Sequence, residues 1–255
     1  MPITSNVAWD GRLELFKGRD STQYVRTAAS TATACATCGL PLTADEQLSM
    51  SVAVSVGTGP DGTDYRAFDC CVCHRACCVP DLTVHEGGVV PEEVTSAGAV
   101  MVLHYKTTAV PALVFTLLPN LTFGVSGAEF SSVLVSVLLG QGFQLAPRAD
   151  WGFILGHAES VGSETFCTLT PQGLLVLHVA GQDMYTHQMD RSEPDGAAWL
   201  EAAAHSGTLL VLGGDNLLIT QSGVDLSLAA SQGTLVAGLA TLISRATPPV
   251  EISPE

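Results

Sequence analysis

Seven of the eight cysteines in this 255-residue chain lie between positions 35 and 78. They form two groups, Cys35-Ala-Thr-Cys38-Gly39 and Cys70-Cys-Val-Cys73-His74-Arg-Ala-Cys77-Cys78. A C-x-x-C-G knuckle puts two thiolates on one tight turn, and its glycine supplies the backbone freedom that turn needs. Residues 1–20 hold no apolar run of signal-peptide length and carry Asp10, Arg12, Glu14, Lys17, Arg19 and Asp20 instead, which points to a cytoplasmic location. In a reducing compartment, cysteines clustered at short spacings read as metal ligands before they read as disulfides. Cys167 stands apart among apolar and hydroxyl residues and reads as a small buried hydrophobe.

The second group must be carried back to the first. Leu48 to Val56 alternates as a strand does, Gly57 to Gly62 is turn-like, and Asp64 to Phe68 can return as a second strand. Asp69 then stands as a helix N-cap, and the spacing predicts a helix over 70–78. On that helix Cys70, Cys73, His74 and Cys77 fall at i, i+3, i+4 and i+7, a single stripe. A helix N-terminus also favours thiolate over thiol, the form zinc requires.

Knuckle, hairpin and ligand-bearing helix together resemble the treble-clef zinc modules, which include LIM-type and related C-x-x-C fingers. The resemblance covers about Ala34 to Pro80. It implies one tetrahedral Zn2+ with two ligands from the knuckle and two from the start of the helix. Carried over, the knuckle pair is Cys35 and Cys38. The second pair stays open: Cys70 with Cys73 completes a four-cysteine site, and His74 with Cys77 completes a three-cysteine, one-histidine site. A C-x-x-C paired with a later H-x-x-C favours His74 and Cys77, leaving Cys70 and Cys73 as supporting residues. Either set is saturated with protein ligands, so the implied zinc is structural.

Rival motifs give way on context. Cys70 to His74 also spells C-x-x-C-H, the c-type haem attachment sequence, but that chemistry implies export and leaves the knuckle unexplained. Gly57-Thr-Gly59-Pro-Asp-Gly62 spells G-x-G-x-x-G, yet a strand-like segment follows it where a nucleotide fingerprint needs a helix. His157-Ala-Glu159 matches the H-x-E of zinc deaminases, and only Cys167 lies downstream in place of P-C-x-x-C. His178 and His187 read as isolated histidines. The chain has no G-x-S-x-G, P-loop or H-E-x-x-H motif, and no catalytic residue is assigned.

The C-terminal part reads as alternating strands and helices. Leu121, Phe123 and Val125 alternate as a strand. Ser126-Gly-Ala-Glu129 matches a capping box, and Phe130, Val133, Leu134, Val137 and Leu138 keep helical spacing. Trp151–His157, Thr165–Thr170 and Leu174–Val179 read as strands, Pro194–His205 as a helix opened by Ser192, and Leu209–Leu212 with Leu217–Thr220 as a hairpin. A short helix over Asp225–Ser231 and a strand over Thr234–Ile243 follow. Between Lys106 and Arg148 the only charge is Glu129, but Pro111, Pro119, Gly124 and Gly127 break the stretch into turns, which speaks against a membrane span. The predicted class is α+β: a zinc-stabilised hairpin-plus-helix module at residues 28–84, a linker at 85–99, a mixed α+β domain at 100–248 and a flexible tail at 249–255.

Charge limits the partners. The formal net charge is -15, and residues 1–100 hold 6 basic against 12 acidic side chains, so nucleic acid and anionic membranes are disfavoured. Arg66 and Arg75 are candidates for an exposed local basic contact. With Lys17 and Lys106 the only lysines, the composition resembles proteins encoded by GC-rich bacterial genomes. The first functional reading is a non-enzymatic cytoplasmic protein whose zinc module presents a surface to a protein partner. The alternatives are an enzyme with its active site in the C-terminal domain and purely scaffolding zinc, and an acidic nucleic-acid-associated regulator.

Overall fold

The computed structural model describes residues 3–4, 6–18, 21–43, 45–58, 64–86, 94–124, 131–220 and 223–244. The described residues are mostly β-sheet, 49% strand against 24% helix. This overturns the expected class of a small hairpin-plus-helix module ahead of a mixed α+β domain. In chain order the strands are β1 (Ile3–Thr4), β2 (Val7–Ala8), β3 (Leu48–Thr58), β4 (Asp64–His74), β5 (Asp81–Glu86), β6 (Thr95–Tyr105), β7 (Thr108–Leu118), β8 (Asn120–Gly124) and β9 (Ser131–Ser132). They continue as β10 (Gln144–Leu145), β11 (Thr165–Leu169), β12 (Leu174–Val179), β13 (Gln182–Gln188), β14 (Thr208–Gly214), β15 (Leu218–Thr220), β16 (Gly223–Asp225) and β17 (Leu235–Ser244). The α-helices are α1 (Glu14–Lys17), α2 (Ser21–Thr31), α3 (Val133–Gly140), α4 (Trp151–His157), α5 (Pro194–Ser206) and α6 (Ser227–Ser231).

Two compact units interleave along the chain. The first takes Met1–Ala97, Thr116–Ser136 and Gly214–Thr234, and the second Gly98–Phe115, Val137–Gly213 and Leu235–Glu255. Residues 28–84 therefore belong to a larger unit that also draws on two later stretches. Within 85–99, β5 ends at Glu86, β6 begins at Thr95, and residues 87–93 lie outside the described residues. So do the tail at 249–255, the Ser126–Glu129 capping box and residues 59–62 of the turn expected at 57–62.

The first unit is built on a seven-stranded sheet ordered β1-β2-β3-β4-β8-β9, with β5 also pairing β3. In β3, Leu48, Met50, Val52 and Val54 are buried at every second position while Ser51, Ala53 and Ser55 are half-exposed, the period-two signature of a strand with one face on a core. Trp9, Leu13 and Val25 join that core. Each fully buried large apolar side chain contributes about 1.5–3 kcal/mol relative to exposure.

The predicted helix over 70–78 does not form. Eleven consecutive residues of β4 pair antiparallel with β3, from Thr58 opposite Asp64 to Leu48 opposite His74. Asp69, expected as an N-cap, lies mid-strand opposite Ala53. Phe68, Cys70, Val72 and His74 stand across from Val54, Val52, Met50 and Leu48, so they share the core-facing side. The ladder uses the backbone groups a helix would need. β8 adds to the other edge of β4, with Phe68 opposite Asn120 and Asp64 opposite Gly124, which makes the hairpin part of a wide sheet rather than a free-standing module.

The second unit is built on an eight-stranded sheet ordered β13-β12-β11-β17-β14-β7-β6, with β10 on β17. β11 and β12 are antiparallel, and β11 runs parallel to β17. Pro111, expected at a turn, stands inside β7 one residue before the pairing of Ala112 with Leu210 begins. Trp151–His157, expected as a strand, is helix α4: the Asp150 side chain accepts from the Phe153 amide at 2.6 Å and caps it. β15 pairs with β16 instead of folding back on β14, correcting the hairpin expected across 213–216. In α5, Pro194 stands in the first turn, Glu193 is the N-cap in place of Ser192, and Gly207 closes the helix at φ +64°. Among the described residues no helix is long and apolar enough to cross a membrane.

Candidate metal centre

Cys35 opens a turn that is tied to itself and to β4. The Gly39 amide donates to the Cys35 carbonyl at 2.8 Å, the Cys35 amide to Leu40, and the Ala36 amide to the Val72 carbonyl at 3.1 Å. Gly39 has φ +72°, a left-handed value that glycine adopts without a Cβ clash. On the other side the chain leaves β4 at His74 and turns at once, the Cys77 and Cys78 amides donating to the His74 carbonyl at 2.9 and 3.3 Å. That turn brings Cys77 round beside the His74 ring.

The ligand atoms of Cys35, Cys38, His74 and Cys77 all lie within 4.8 Å of one another. Nδ1 of His74 is 3.4 Å from the Cys38 sulfur and 3.8 Å from the Cys77 sulfur. Tetrahedral bonds of about 2.3 Å to sulfur and about 2.0 Å to nitrogen require edges of about 3.5 to 3.8 Å; the two edges from His74 come close to this, and the widest, up to 4.8 Å, needs to close by about 1 Å around an ion. The opposite ring nitrogen, Nε2, stands 3.3 Å from the Pro41 carbonyl and 3.4 Å from a Glu46 oxygen. A metal-binding imidazole uses one nitrogen for the ion and donates the other N–H to a carbonyl or carboxylate, and this ring is oriented that way.

Electrostatics supports the same arrangement. Burial pushes the Cys35 thiol up, but the amides of Cys38, His74 and Thr37 more than reverse this, bringing it to about 5. Burial and the neighbouring sulfurs of Cys38 and Cys35 push Cys77 up to about 11. Burial works against a charged His74, while the Cys35 sulfur, the Pro41 carbonyl and Glu46 together raise its pKa. Three sulfurs this close cannot all be anionic unless a cation sits among them. A divalent ion removes that conflict, and thiolates with one imidazole are the soft donor set that zinc takes.

Cys70 and Cys73 are not part of this group. Strand alternation turns Cys73 to the face opposite His74, where it is buried with its sulfur 3.2 Å from the Thr37 hydroxyl. Cys70 packs beside Tyr24, and burial raises its pKa. Cys78 lies against Ser49, whose hydroxyl donates to the Cys78 carbonyl at 2.8 Å. All eight cysteines are free thiols, and Cys167 is fully buried. Arg66 and Arg75, expected as exposed cations, are half-buried, and Arg66 lies over the Phe16 ring.

Glu46 escapes a reading based on cysteine and histidine spacing. Its signal is Thr43-Ala-Asp-Glu46, a capping-box pattern, and the Thr43 amide does donate to the Glu46 carboxylate at 3.0 Å. His178 is not isolated: Nδ1 meets Asp183 at 2.6 Å, Nε2 meets the Thr168 hydroxyl at 3.0 Å, and the ring stacks on Phe166. Thr168 is 4% exposed, so this chain of bonds ties three strands together without offering a nucleophile to a substrate. His187 reaches the Tyr185 hydroxyl at 3.2 Å. His157 bonds its own helix at Phe153, and Glu159 bonds Gln144. The chain matches no protein-family model, no curated protein and no solved structure.

Proposed function

We propose that Cys35, Cys38, His74 and Cys77 hold one structural zinc ion, and that the protein is a non-enzymatic zinc-built scaffold offering the turns around that ion to a protein partner. The observation that carries the metal reading is the convergence of three sulfurs and a correctly oriented imidazole within 4.8 Å. Four protein ligands leave no coordination position for water, so the ion's work is mechanical. It fastens the knuckle to the end of β4, joining segments that lie about forty positions apart in the chain. Zinc bound in this manner supplies on the order of 10 kcal/mol of folding energy.

The partner surface is supported by Leu40 and Val79, which are 62% and 74% exposed and flank the two ligand turns in sequence. Large apolar side chains held out on rigid turns favour protein contact. The chain's net charge of -15 weighs against nucleic acid.

Hydrogen exchange before and after chelation tests the mechanical role. Protection of residues 33–42 and 70–79 is expected to fall while β11 and β12 stay protected. Unchanged protection after complete metal removal contradicts the role. A photo-crosslinker at position 40 tests the surface: capture of one protein partner only in the metal-loaded state supports it, and capture indifferent to metal contradicts it.

A further inference from the structure

The face of β4 that turns away from His74 carries a second group of thiols. Cys71 and Cys73 stand opposite Ser51 and Ser49 of β3, so they project from the same side of the sheet. The turn after β4 brings Cys78 beside them, its amide donating to the His74 carbonyl at 3.3 Å. The Cys78 sulfur lies 3.5 Å from the Ser49 hydroxyl, and Cys73 and Cys78 interact directly, thiol to thiol. Ser49 is thus the cross-strand neighbour of one cysteine and the polar neighbour of the other.

The two thiols differ in access. Cys73 is 1% exposed and sits 3.2 Å from the Thr37 hydroxyl. Cys78 is half-buried, so a small solute reaches it first. Cys71 is exposed, but residues two apart on an extended strand hold their Cβ atoms about 6.5 Å apart, beyond the roughly 4.5 Å that a disulfide spans. A bond from Cys73 to Cys71 would bend a strand that is paired on both edges at its start and along its whole length to β3. A bond from Cys73 to Cys78 joins side chains that already meet.

We propose that Cys73 and Cys78 form a peroxide-reactive dithiol that closes to a reversible disulfide. The Cys78 sulfur attacks one oxygen of the peroxide: the S–O bond forms, the O–O bond breaks, and the departing hydroxide takes the thiol proton and leaves as water. The Cys73 sulfur then attacks Cys78, the S–S bond forms, the S–O bond breaks, and the second water carries away the Cys73 proton. Two thiols are oxidised and one hydrogen peroxide is reduced to two waters. A thiol reductant reverses the bond by exchange. The disulfide closes across residues 74–77, so oxidation staples the turn that bears His74 and Cys77 without consuming either side chain. The site uses none of the four proposed zinc ligands and does not rest on the zinc reading.

Mass spectrometry of the full chain treated with hydrogen peroxide tests the proposal. Trypsin cuts after Arg75, which puts Cys73 and Cys78 on separate peptides that stay joined only while the disulfide holds. The chain is expected to lose the mass of two hydrogens, to yield that joined pair with the bond placed at Cys73 and Cys78, and to regain both thiols with dithiothreitol. Cys73→Ser removes the second thiol and should leave a sulfenic acid at Cys78 that dimedone traps, while Cys78→Ser should yield no joined pair. Where Cys73→Ser does not fold, a dimedone pulse during oxidation of the wild-type chain should label Cys78. Absence of the Cys73–Cys78 pair at excess peroxide overturns the proposal. So does a bond from Cys73 to Cys71, or dimedone labelling at Cys71 with Cys78 unlabelled. Zinc content measured on the same sample reads the metal centre separately.

Discussion

The backbone amide of His74 donates to the sulfur of Cys35 at 3.4 Å across 39 positions of sequence. One residue thus contributes both a ring nitrogen to the cluster and an N–H to a neighbouring thiolate. The last pair of the β3–β4 ladder, Leu48 opposite His74, fixes where that amide points, so the strand register sets the geometry of the candidate metal centre.

Glu46 orients the His74 ring from outside the cluster. Glu46→Gln should lower zinc affinity about tenfold, the low end for a lost outer-shell partner, because Glu46 is itself exposed. Competition with a chromophoric chelator measures this. An affinity equal to wild type means that the Pro41 carbonyl alone orients the ring.

Helix α4 depends on one cap. Asp150→Ala should destabilise the chain by about 1 kcal/mol, read as a lower midpoint in urea. Asp150→Asn or Asp150→Ser should restore most of the loss, since either side chain can accept from the Phe153 amide.

Trp199 is fully buried and donates its indole N–H to the Ala112 carbonyl at 3.1 Å. Trp199→Phe keeps most of the apolar contact but removes that hydrogen bond. A loss of about 1–3 kcal/mol is expected, together with a small cavity, and chemical denaturation reports it.

His187 makes stability fall on the acid side. Burial depresses its pKa below 6.5, so below about pH 6.5 the unfolded chain binds a proton that the folded chain refuses. Stability contributed by the neutral ring is present above that pH and is lost as pH falls through it. Denaturation curves at pH 7.5 and 5.5 should differ less for His187→Gln than for wild type; an identical difference assigns the acid sensitivity to other groups.

The knuckle is legible from spacing because a C-x-x-C-G turn is purely local, and Gly39 has the positive φ that such a turn needs. The element carrying the second half is misread for a physical reason. A three-residue separation brings His74 and Cys77 together equally well on a helix, where the Cys78 amide would bond the His74 carbonyl, or on a strand end followed by a turn, where the Cys77 amide bonds it at 2.9 Å. Strand geometry separates both other cysteines from the group: alternation turns Cys73 to the opposite face, and Cys70, on the same face as His74, lies four residues or about 13 Å back along the extended strand. The sheet itself is hidden because β4 gains its second neighbour from β8, more than fifty positions downstream. Strand-like alternation at Trp151–His157 yields to the Asp150 cap, a local signal stronger than periodicity over seven residues.

X-ray absorption at the zinc edge, combined with elemental analysis of the purified chain, addresses the metal centre most directly. One zinc per chain with three sulfur neighbours at about 2.3 Å and one nitrogen at about 2.0 Å is expected, and His74→Cys should convert the shell to four sulfurs. A chain that purifies without zinc and still protects residues 33–42 and 70–79 from hydrogen exchange, or a zinc shell of oxygen and nitrogen unaffected by Cys38→Ser, would contradict the account.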